Sequence, residues 1–133
     1  MNRKILEERT KRFHIAIIKL CELLPRNSIG YELSKQLIRS AGSVGANYRA
    51  SIRAKSKADF IYKIQIVLEE ADESHYWLEV IQMAGLVTTL ELDVLIQEAY
   101  ELTAIFAATD KTAKENLKNK SDIRHPTSKI SPC

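Results

Sequence analysis

From Tyr31 to Ala84 the chain contains no proline, and its only glycines are Gly42 and Gly45. A stretch so poor in breakers points to helix. Its spacing agrees. Phe60, Ile64, Val67, Ala71, Ser74, Leu78 and Ile81 alternate steps of four and three, the heptad rhythm of bundled helices. Leu92, Leu95, Ala99, Leu102 and Phe106 repeat it downstream. Upstream, Leu33, Leu37, Ala41, Val44, Tyr48 and Ile52 form one apolar face, and Leu6, Phe13, Ala16, Ile17, Leu20 and Leu24 another.

The punctuation divides this pattern into four helices. Pro25 stops the first, and Pro25 to Gly30 reads as a turn. Ser56-Lys57-Ala58-Asp59 and Thr88-Thr89-Leu90-Glu91 resemble capping boxes, and Gly85 ends the helix between them. Helices are predicted over residues 3–24, 31–54, 57–84 and 89–119. Short connections between long helices favour antiparallel neighbours. The expected fold is therefore all-α, an up-down-up-down four-helix bundle over residues 1–120, followed by a disordered polar tail over 121–133.

With 133 residues, 45% hydrophobic and 28% charged, the chain has the composition of an ordinary soluble domain. No apolar run is long enough to span a membrane, and Glu7 and Glu8 interrupt the N-terminus before a signal peptide could form. A cytoplasmic location is expected, with Cys21 and Cys133 as reduced thiols.

Net charge is only +3, but it is unevenly spread. Residues 30–57 carry Lys35, Arg39, Arg49, Arg53, Lys55 and Lys57 against Glu32 alone, whereas residues 64–109 hold nine acids and no lysine or arginine. On a helical wheel Lys35, Arg39, Gly42, Ala46, Arg49 and Arg53 fall within about 40° of one direction, opposite Leu33, Leu37, Val44 and Tyr48. Mid-helix glycine costs about 1 kcal/mol relative to alanine. Gly42, Gly45 and Ala46 therefore suggest that something approaches this backbone closely. Three readings remain open. The stripe can be a solvated face. It can be a subunit contact, with small residues admitting a neighbouring helix and arginines reaching its carboxylates. It can bind RNA or DNA, with the cations on phosphates.

Helix 3 offers a counterpart in Glu69, Glu70, Asp72, Glu73 and Glu79, with Trp77 among them. Glu69, Glu70, Glu73 and Trp77 join the small residues as candidate subunit-interface positions. An acidic face beside a basic one suits head-to-tail assembly. A bundle di-metal site needs Glu-x-x-His twice, and only Asp72-x-x-His75 approaches that motif, so no metal or other cofactor is expected. His14, His75, Tyr76 and Trp77 read as packing residues. No phosphate loop, nucleophile elbow or paired Cys/His arrangement is present, and the chain is not expected to be an enzyme.

Residues 33–47, Leu-Ser-Lys-Gln-Leu-Ile-Arg-Ser-Ala-Gly-Ser-Val-Gly-Ala-Asn, resemble the signature of the bacterial four-helix-bundle proteins first noticed in intervening sequences of large-subunit ribosomal RNA genes. Leu24-Pro25 upstream, and the segments 59–64 and 69–78 downstream, fit the same pattern. Gly42 departs from the threonine or serine expected there. The resemblance implies an antiparallel bundle assembled as a homopentamer, without known enzymatic activity. It is distantly shared with the accessory protein of diversity-generating retroelements, which pairs with a reverse transcriptase and binds nucleic acid. The reading favoured is a non-enzymatic homo-oligomer binding RNA or DNA through Lys35, Arg39, Arg49, Arg53, Lys55 and Lys57. The alternative is a protein-protein accessory module, such as a reverse-transcriptase partner.

Overall fold

The computed structural model describes residues 2–124. It contains four helices: α1 (Arg3–Cys21), α2 (Ser28–Ile52), α3 (Lys57–Met83) and α4 (Leu90–Arg124). No strand occurs among the described residues. Neighbours in sequence are neighbours in space, and α4 closes the ring back onto α1. The fold is the expected all-α four-helix bundle.

Local chemistry sets most of the boundaries. Asn2 caps α1, its side chain accepting the Ile5 N–H at 2.8 Å. The N–H groups of Glu22, Leu23 and Leu24 donate to the carbonyls three residues back, so the chain tightens before Pro25 and α1 ends at Cys21 rather than Leu24. α2 begins at Ser28, earlier than the turn residues suggest, because Asn27 Oδ1 accepts the Gly30 N–H at 3.0 Å. Gly30 is required there: a Cβ would lie 1.8 Å from the Pro25 carbonyl oxygen.

The capping box of α3 forms. Ser56 Oγ accepts the Asp59 N–H at 3.0 Å, and Asp59 Oδ2 accepts the Lys55 N–H at 3.2 Å. At the other end Gly85 adopts φ 68°, Leu86 N–H donates to the Ile81 carbonyl and Gly85 N–H to that of Gln82. This is a Schellman stop, and glycine supplies the left-handed residue it needs. The second expected box does not form around Thr89, whose buried Oγ1 has no hydrogen-bond partner. α4 continues through Arg124, so residues 121–124 are helix rather than tail. No proline interrupts them before Pro126. The remaining tail residues, 125–133, lie outside the described residues.

The core runs the length of the bundle. Ile17, Leu37, Val44, Ile64, Val67, Leu78, Ile81, Leu102 and Phe106 are fully buried. Diagonal helices meet only through core side chains, as where Tyr48 and Phe106 place ring centroids 5.4 Å apart. α1 and α4 make the sparsest contact of any adjacent pair.

Candidate nucleic-acid interface

The outer face of α2 keeps its expected cations. Lys35, Arg39, Ala46, Arg49 and Arg53 are exposed. The two glycines have close neighbours within the chain. A Cβ on Gly42 would lie 3.0 Å from the His14 ring, and one on Gly45 would lie 3.6 Å from the Thr10 backbone. The close neighbour at both positions is α1 of the same chain. A wheel counts direction only from the helix axis, and α1 covers the flank that the wheel assigned to the outside. Ala46, one step further round, stays in the open.

The acidic residues of α3 are also engaged within the monomer. Arg39 Nη1 donates to Glu70 Oε2 at 2.9 Å, and Arg39 Nη2 donates to Glu73 Oε2. Trp77 Nε1–H reaches the same Glu73 oxygen at 3.3 Å, and its ring packs edge-on against Tyr76 at 5.1 Å. Beneath them Ser74 Oγ donates to Ser40 Oγ at 2.9 Å, a fully buried bond joining α2 to α3. The carboxylates expected to meet arginines of another subunit thus meet Arg39 of their own. Glu69 is exposed, with no hydrogen-bond or ion-pair partner among the described residues. On the opposite flank Arg49 lies 3.8 Å from Glu7 of α1, a distant pair at the surface.

The remaining cations separate into two places. Lys35 stands roughly 27 Å up α2 from Arg53 at 1.5 Å per residue. Arg53, Lys55 and Lys57 gather where α2 turns into α3, none in a close side-chain ion pair among the described residues, and Lys55 with Lys63 helps hold the Asp59 carboxyl pKa down. The antiparallel topology brings the start of α1 and the later part of α4 to this same end. A depression of about 510 Å³ there is lined by Arg3, Lys55, Lys57, Phe60 and Asn116, among others. Lys4, Lys111 and Lys118 are exposed at this end. Lys63 and Lys114 are held by Asp59 and Asp110, one helical turn away. The charge asymmetry read along α2 is in three dimensions a basic end of the bundle.

The model of the 23S rRNA-intervening sequence protein family matches residues 4–108. The chain belongs to that family. A solved structure agrees: a protein of unknown function from the S23 ribosomal protein family of Bacteroides thetaiotaomicron is 31% identical, with a TM-score of 0.75 over 84% of this chain and 99% of that one. No curated protein matches. The matched region of this intervening sequence protein includes the whole α2 face and the Lys55–Lys57 turn.

No group of three or more His, Cys, Asp or Glu side chains is placed to hold a metal ion among the described residues. His75 packs near the Tyr100 ring at 6.2 Å, and its Nδ1 lies 3.4 Å from Glu79. Burial pushes the Cys21 thiol pKa up, offset in part by a hydrogen bond with Ser34, which favours an inert packing thiol. No helix among the described residues is long and apolar enough to cross a membrane. Sequence reasoning missed Arg9, which clamps α1 to α4 through Glu98 at 2.6 Å and Glu101 at 3.1 Å. The i, i+3 pair of glutamates was the available signal, but its partner is 89 residues away.

Proposed function

We propose that this chain is a non-enzymatic helical-bundle protein that assembles as a homopentamer and binds RNA or DNA through the basic end of the bundle. One observation carries the nucleic-acid reading. Arg3, Arg53, Lys55 and Lys57 lie together at one end, and none of their side chains forms a close ion pair among the described residues, although Lys55 acts on Asp59 at longer range. Exposed cations gathered around the depression at this end suit phosphate contacts that depend on charge rather than base identity. Arg39 contributes less, because Glu70 and Glu73 already hold it. The pentamer rests on the family resemblance.

Fluorescence anisotropy with a structured RNA and with duplex DNA at low salt tests this reading. Saturable binding that weakens as salt rises supports it, and absence of binding at low salt ends it. One observation favours a second reading, a protein-protein accessory module of the kind that serves a reverse transcriptase. The Arg39 pairing places an ion-paired polar patch at the centre of the α2 stripe, with Trp77 beside it. Capture of a polymerase partner by a protein that binds no nucleic acid is the result that reading requires.

A further inference from the structure

The basic end of the bundle holds more than cations. Its depression of about 510 Å³ adjoins a second one of about 380 Å³, and Phe60, Ala113 and Asn116 line both. Together they form a furrow between the start of α3 and the later part of α4. The sequence explains its presence. α4 brings Ala108, Thr109, Thr112 and Ala113 to the second depression, in steps of one and three that keep them on one helix face. Side chains this small leave space beside a phenylalanine ring. Phe60 is half-buried: it packs against the core and also lines both depressions.

Charge divides along the furrow. Arg3, Lys55 and Lys57 line the first depression, and the described lining of the second is uncharged. No carboxylate lines either among the described residues. The larger groove between α1 and α4, about 1050 Å³, is the opposite case: Glu8, Asp93, Glu98 and Glu101 line it and oppose a phosphate chain. Within the furrow Ser51, Ser56 and Thr109 already use their hydroxyls on the Tyr48 carbonyl, the Asp59 N–H and the Ile105 carbonyl. Thr112 and Asn116 are exposed, with no hydrogen-bond partner among the described residues.

We propose that the furrow takes an unpaired nucleotide of a single-stranded nucleic acid, with its phosphates on Arg3, Lys55 and Lys57 and its base against the Phe60 ring. Thr112 and Asn116 supply hydrogen bonds to the base edge. This names the substrate class of the nucleic-acid reading above and rests on it. A base inside a duplex has both faces covered and cannot enter a furrow without being flipped out. A cation track beside an aromatic ring is how single strands are held without sequence preference. The spacing is suitable too. Lys57 lies one turn before Phe60, which puts their Cβ atoms about 5–6 Å apart. One nucleotide spans that distance from phosphate to base.

The test titrates the full chain, by anisotropy at low salt, with three labelled probes of equal length: oligothymidylate, an abasic strand with the same phosphates, and a duplex. Charge alone favours the duplex, which carries more phosphates per unit length. The proposal expects the reverse order, with oligothymidylate bound about tenfold more tightly than the abasic strand and more tightly than the duplex. Phe60→Leu should lower oligothymidylate affinity to that of the abasic strand without changing its salt slope, and Phe60→Tyr should keep the wild-type affinity. Circular dichroism with a cooperative melt verifies folding of both variants, and the abasic comparison needs no variant. Equal affinity for the abasic and intact strands, or a duplex bound more tightly than either, overturns the proposal and leaves the charge-based reading of the basic end standing. A folded Phe60→Leu that binds oligothymidylate like wild type overturns the placement of the base. No binding of any probe overturns the proposal and the nucleic-acid reading together.

Discussion

The α2–α3 seam and the α1–α4 seam are built from the same kinds of residue and end in opposite states. Between α2 and α3 the apolar side chains interlock, a buried Ser40–Ser74 hydrogen bond crosses the interface, and Arg39 closes its rim onto Glu70 and Glu73. Between α1 and α4 a groove stays open, and Arg9 spans it to Glu98 and Glu101. The first seam is complete within one chain. The second offers apolar area that the monomer does not bury. The bundle thus has one finished and one unfinished seam.

Truncation separates the two seams most strongly. Leu37→Ala, deep in the α2–α3 side of the core, should cost about 2–5 kcal/mol in urea denaturation. Ser74→Ala removes the buried donor to Ser40 and should cost about 1 kcal/mol by the same measurement. Arg9→Ala removes a part-exposed bridge across the open seam, and about 0.5–1 kcal/mol is expected, with faster hydrogen exchange confined to α1. A loss as large as that of Leu37→Ala would show that the α1–α4 seam is as tight as its counterpart. The smallest expected change is a gain. A Cβ on Gly45 meets Thr10 only at ordinary contact distance, so Gly45→Ala should raise the melting free energy by about 0.5 kcal/mol through lost unfolded-state freedom. Destabilisation by Gly45→Ala would mean that α1 and α2 pack more closely than this contact distance allows.

The α3 seam and its capping box were legible in the sequence because periodicity and capping act within a few residues. So was the Gly85 stop, which needs only one left-handed residue. What stayed hidden depends on the rotation of one helix against another. Arg39 and Glu73 are 34 residues apart, and nothing local says that their side chains share a rim. The glycines of α2 announced a close neighbour, but only the bundle shows that it is His14 and Thr10 of α1. The candidate site shifted for the same reason. Lys35 and Arg53 share a wheel direction yet stand at opposite ends of α2, while Arg3, remote in sequence, joins Lys55 and Lys57. The α1–α4 groove left no sequence signal, because it comes from the placement of two helices far apart in sequence.

The most direct test of the nucleic-acid reading is the slope of log affinity against log salt, for wild type, for Arg39→Ala and for the triple variant Arg53→Ala, Lys55→Ala, Lys57→Ala. If the basic end contacts phosphates, the triple variant loses roughly three units of slope, about one per cation removed, and Arg39→Ala keeps the wild-type slope. A triple variant with the wild-type slope, or an Arg39→Ala slope that falls in its place, would contradict the assignment of binding to the basic end.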